Sequence, residues 1–181
     1  SACMAICMLL TLAPVALATD PAPDPGPTTT EIAKIGDTGY STLQAAVDAV
    51  TADQTITLQG DASGGGVVVG SGKNFTLDLG DHTYTIDGEL VGSTNTKTNG
   101  FQLLKDTTLT IKNGTIAAKN DETKILIQNY CNLTLDHVAL TGVAATKYVL
   151  SNNNGEINLT GGTTITATTD NIAFDVCWAK A

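Results

Sequence analysis

Apolar doublets with one residue between them recur along the chain at a nearly constant interval, and few folds accommodate such a pattern. The stretch KILIQNYCNLTLDHVAL, residues 124–140, shows it best. Moved back by 24 residues, Ile125, Ile127, Leu133 and Leu135 fall on Phe101, Leu103, Leu109 and Ile111. Moved forward by 24, Leu133 and Leu135 fall on Ile157 and Leu159. Earlier copies are Leu77/Leu79, 32 residues before Leu109/Ile111, and Ile56/Leu58, a further 21 back. One residue between partners is the strand period. Self-similarity at about 20 to 50 residues signals stacked supersecondary units rather than one conventional core.

Within each unit the doublets keep an order. Leu109/Ile111 leads to Ile116 and then Ile125/Ile127; Leu133/Leu135 leads to Val138/Leu140 and then Val149/Leu150. Ile157/Leu159 leads to Ile165 and then Ile172/Phe174. Gly, Asn, Asp, Thr and Lys separate the doublets, and these residues turn the chain or tolerate water. Three short strands per turn, each returning above its predecessor, predict an all-β parallel β-helix of about five coils. Ile56, Leu77, Leu109, Leu133 and Ile157 then form one inward column. An antiparallel sandwich is the competing architecture, but it gives no reason for two successive intervals of 24.

The chain divides into three parts. Residues 1–18 form an apolar run ending Ala16-Leu17-Ala18, the pattern of a secretory signal with its cleavage site. The chain opens with Ser and no Lys or Arg precedes the run, so the signal is expected to be incomplete. Residues 19–31 hold four of the five prolines and predict an extended linker. Residues 32–181 carry the β-helix, with its coils over 55–181. A lead-in strand at 32–35 and a turn at 36–39 precede one helix, over 41–50. Ser41 is the expected cap and Gln44 completes a capping box. Leu43, Ala46, Val47 and Val50 make its apolar stripe, which suits a lid over the first coil. Val176, Cys177 and Trp178 read as a coil in progress, so further coils are expected beyond Ala181.

The stretch AKIGDTGYSTLQAAVDAV, residues 33–50, followed by Thr55-Ile56-Thr57-Leu58, resembles the opening of the pectate-lyase-like right-handed β-helix domains of large bacterial cell-surface proteins. The resemblance implies a right-handed coil, a lead-in strand, a capping helix and a secreted or surface location. That group is defined by fold and place more than by a reaction, so the resemblance implies little about activity.

The chemistry in the sequence is sparse. All nine basic residues are lysine and none is arginine. Carbohydrate-active β-helices of the kind the resemblance brings to mind use arginine as base or clamp, beside paired aspartates or a Gly-His-Gly, and these motifs are missing. Asp78, Asp81, His82 and Asp87 form the densest acidic cluster, and Asp78, Asp81 and Asp87 are candidate oxygen ligands for a hard cation. Their spacing fits no known calcium loop and a solvated turn is the favoured reading, since Asp136-His137 occupies the matching corner two units later. Outward residues flank each column: Thr55/Thr57, Thr76/Asp78, Thr108/Thr110, Asn132/Thr134 and Glu156/Asn158. From this polar face Thr57, Asp78, Thr110 and Thr134 are ligand-binding candidates. Ser93, Asn95 and Lys97 join them from 92–99, an eight-residue surplus of the longest unit read as an exposed loop. Lys105, Asn129 and Asn153 form a corner column with stacked amides.

Cys131 and Cys177 lie nearly two turns apart, beyond disulfide reach. A net charge of −9 argues against nucleic acid and anionic membrane as partners. The expected protein is a non-catalytic, secreted or cell-surface module with a structural or adhesive role. It needs no cofactor, inserts in no membrane once the signal is removed, and contacts extracellular glycans or host proteins. The competing readings are a polysaccharide lyase or hydrolase whose catalytic part lies beyond residue 181 and, more distantly, an ice-binding solenoid built on the threonine face.

Overall fold

The computed structural model describes residues 30–178; the signal segment 1–18 and residues 19–29 of the linker lie outside it. The entry is a hairpin of β1 (Ala33–Ile35) and β2 (Thr38–Tyr40), followed by α1 (Leu43–Ala49). Five turns of a parallel β-helix come next. The first holds β3 (Gln54–Leu58), β4 (Ala62–Gly64) and β5 (Val67–Val69). The second holds β6 (Asn74–Ile86), β7 (Val91–Ser93) and β8 (Thr96–Leu103). The third is β9 (Thr108–Ala118) with β10 (Ile125–Asn129), and the fourth is β11 (Asn132–Thr141) with β12 (Tyr148–Asn153). β13 (Glu156–Thr160), β14 (Thr164–Thr166) and β15 (Ile172–Cys177) make the fifth.

Three faces run along the rod, as the order of doublets predicts. β6, β9 and β11 each bend across the corner between the first two faces, which therefore merge into one sheet. The bend has a backbone cause. Asp81, Asn113, His137 and Gly161 occupy that corner on successive turns with φ of 64°, 56°, 55° and 62°. Asn, Asp and His are the side-chain-bearing residues that best tolerate this left-handed conformation. Asp81 and His137 thus have a conformational role, whatever else they do.

The interval of 24 is exact on the first face from the third turn onward, where Leu133 lies between Leu109 and Ile157. Ile56 pairs with Leu77 as expected, but between the second and third turns the expected register is wrong by two. Leu77 pairs with Ile111 and Phe75 with Leu109, so the observed column is Ile56, Leu77, Ile111, Leu135 and Leu159. The third face is also offset from expectation: Ile127, not Ile125, sits beside Phe101. The third-face offset follows from corner length. Residues 104–107 separate β8 from β9, whereas only 130–131 separate β10 from β11. The amide column shifts for the same reason. Asn129 stacks on Asn152, donating to its Oδ1 at 2.8 Å, while Asn153 and Lys105 lie outside the stack.

Burial follows the corrected columns. Leu77, Ile111, Leu135 and their neighbours are closed to water, and Tyr84 meets Phe101 edge-on at 6.1 Å. Each fully buried aliphatic contributes about 1.5–3 kcal/mol. The fifth turn differs: Leu159, Ile172, Phe174 and Val176 are exposed, and Trp178 is 75% exposed.

The entry segment covers the first turn, with two corrections to the expected detail. Thr42, not Ser41, caps the helix by accepting from the Ala45 amide at 3.1 Å. Gln44 forms no capping box. Its Oε1 accepts from the Val68 amide at 2.7 Å and its Nε2 donates to the Val68 carbonyl at 3.0 Å. The side-chain amide thus stands in for a neighbouring strand at the outer edge of β5, while β1 pairs antiparallel along β3. Leu43, Ala46, Val47 and Val50 are buried beneath, as their spacing predicts.

Candidate functional site

The outward side of the first face is set by the same register. Each inward residue on β3, β6, β9, β11 and β13 leaves its neighbour facing water, so outward residues stack in columns about 4.8 Å apart. One column is Thr55, Thr76, Thr110, Thr134 and Asn158. Beside it runs Thr57, Asp78, Lys112, Asp136 and Thr160. The two-residue correction therefore lengthens the row: four threonines stand unbroken, where the expected register gave three, Thr55, Thr76 and Thr108. Of the predicted candidates, Thr110 and Thr134 are direct neighbours in the first column, and Thr57 and Asp78 are neighbours in the second.

One ion pair compensates charge in the middle of this face. Lys112 Nζ lies 3.2 Å from Asp78 Oδ2. Asp78 Oδ1 accepts from the Gly80 amide at 3.0 Å and from Asn113 Nδ2 at 3.1 Å. Partial burial pushes the Asp78 carboxyl up, but these hydrogen bonds and the Lys112 ammonium outweigh it and hold the pKa below the ordinary carboxylate value. One turn pair on, Asp136 Oδ1 takes hydrogen bonds from Thr160 Oγ1 at 3.0 Å and lies 3.0 Å from His137 Nδ1. The threonine hydroxyl addresses the carboxylate and not the imidazole, so the three do not form a nucleophile–base relay.

Asp78, Asp81 and Asp87 do not converge. Among the described residues no group of three or more His, Cys, Asp or Glu side chains is placed to hold a metal ion. Asp81 sits at the left-handed corner. Asp78 is committed to Lys112 and Asn113, and Asp87 follows the end of β6, where its backbone amide donates to the Gly64 carbonyl. His137 is at the same corner as Asp81, but Asp136 belongs to the Asp78 column, and His82 pairs with Gly114. Asp136-His137 thus lies at the same corner but offset by one residue from Asp81-His82, so neither the two aspartates nor the two histidines share a column. Cys131 is buried beside Asn129, and burial pushes its thiol up to about 12, which leaves it without thiolate character at neutral pH.

Ser93, Asn95 and Lys97 belong to a different place. Residues 92–99 are not a loop: β7 and β8 pair antiparallel as a hairpin, and Ser93, Asn95 and Lys97 are exposed on it. Lys97 faces a cleft of about 430 Å³ between this hairpin and α1, walled by Ser41, Thr42, Ser63 and Glu89 and floored by the glycines 64–66. Tyr84 lies below, its hydroxyl donating to the Gly65 carbonyl at 2.9 Å. Burial and the nearby Asp87 charge push its phenol up to about 12. The sequence signals only Lys97 of this cleft, because its other walls meet through the lid, whose docking depends on tertiary contacts.

Comparison with known proteins finds no matching family model, no matching curated sequence and no matching solved structure.

Proposed function

We propose that this chain is a non-catalytic β-helix module of a secreted or cell-surface protein, of the right-handed pectate-lyase-like kind, which adheres through neutral glycans. The observation that carries the reading is the hydroxyl row Thr55, Thr76, Thr110 and Thr134 beside a column whose Asp78 and Lys112 pair with each other. Such a surface offers many weak hydrogen bonds on a rigid support and little uncompensated charge, which suits an uncharged, hydroxyl-rich polymer. The overall charge of −9 disfavours polyuronates. The likeness of residues 33–58 to surface-protein β-helices supports an extracellular setting.

A glycan array probed with the purified chain tests this. The expected result is binding to neutral oligosaccharides, reduced when Thr110→Val and Thr134→Val are combined, with no binding to polygalacturonate. Binding confined to acidic glycans, or to none, contradicts the proposal.

A further inference from the structure

We infer that Tyr130 is the stacking platform of a subsite for one neutral pyranose ring, at the margin of the hydroxyl face. The inference rests on the glycan reading above and gives it a point of attachment. Tyr130 is 36% exposed on the corner between the third and first faces. That corner changes length along the rod. It takes four residues on the first two turns, 70–73 and 104–107, but only 130–131 on the third. Tyr130 is one of the two residues that make the shorter corner. Two grooves of about 310 and 400 Å³ adjoin there, and both are bordered by Tyr130 and Lys105.

The grooves differ in chemistry. Ser71, Gln102 and Leu104 complete the first, which is largely carbon-lined; Thr108 and Asn132 help complete the second, which is largely polar. A pyranose has the same division, with an apolar C–H face and a rim of hydroxyls. Its C–H face fits the tyrosine ring, and its hydroxyls meet the amide, ammonium and hydroxyl groups alongside. The platform is held in place by its backbone, since the Tyr130 amide donates to the Leu103 carbonyl at 2.9 Å. Lys105 is followed by Asp106 on the same groove wall, so the site has no net cationic pull toward uronates. Thr108 pairs with Asn132 one column from Thr110 and Thr134, so a longer chain can pass from the ring onto the threonine row.

Saturation-transfer NMR with neutral gluco-, manno-, xylo- and chito-oligosaccharides tests the inference. At least one series should receive saturation on its ring C–H protons. Tyr130→Ala should weaken binding about tenfold, whereas Tyr130→Phe, which keeps the ring, should bind as the parent does. Ser71→Trp, which fills the first groove while leaving the residue at 130 unchanged, should also abolish binding. Oligosaccharide binding that survives Tyr130→Ala and Ser71→Trp but is lost in the Thr110→Val, Thr134→Val pair overturns the subsite and leaves the glycan face standing. Loss in Tyr130→Ala with no effect of the threonine pair supports the subsite and removes the face. No binding of any neutral series by the parent protein overturns both.

Discussion

Leu133 and Thr134 are adjacent in sequence and opposite in environment. Leu133 is 1% exposed between Leu109 and Ile157, whereas Thr134 faces outward beside Thr110. Leu133→Asp places a carboxylate in the stack without a partner and should cost several kcal/mol or prevent folding; Thr134→Asp should stay within about 0.5 kcal/mol. Equal shifts in thermal melts would show that inward and outward are misassigned. Asp78 gives a second residue-scale test. Its folded pKa lies below the unfolded one, so its contribution is present above the unfolded value of about 3.9 and is lost as pH falls through the lower folded value. Asp78→Asn should therefore melt below the parent at pH 6, with the gap closing under more acid conditions. A gap that stays constant down to about pH 2 would mean that the carboxylate pairing is worth nothing. Inward and outward alternation was legible from the sequence because it needs only a period of two. The identity of each neighbour was not, since it depends on corner lengths carried by polar residues such as Lys105 and Asp106, which have no periodic signal.

The lid shows the same limit at the scale of an element. Its apolar stripe, Leu43, Ala46, Val47 and Val50, is read directly from spacing and is buried. The task of Gln44 is not, because its partner Val68 lies 24 residues away and becomes visible only when β5 presents an open edge. Likewise the 92–99 surplus reveals its position in the sequence but not its pairing as a hairpin. Gln44→Leu keeps the helix and removes both bonds to Val68. It should destabilise the protein by about 1–3 kcal/mol and speed hydrogen exchange at the Val68 amide while leaving exchange in β9 and β11 unchanged. Unaltered protection at Val68 would show that the amide does not guard the edge.

At the scale of the whole molecule the rod is polar in the sense of its ends. Its first turn is covered by β1 and α1, whereas the fifth turn exposes Phe174, Val176 and Trp178. Uncovering the first turn adds an exposed strand edge, along which copies of this chain associate. Deleting residues 31–51 should therefore shift light scattering from small species to an extended distribution, and an unchanged distribution would show that the entry segment is not a cap. The outer face is equally a property of the whole rod, since the threonine row exists only where successive turns are in register. The proposal that this face binds neutral glycans without transforming them is tested most directly by titration calorimetry with the oligosaccharide selected on the array. Injection heats should saturate, return to baseline, and be diminished by Thr110→Val with Thr134→Val. A sustained heat flow after each injection, the mark of turnover, would contradict it.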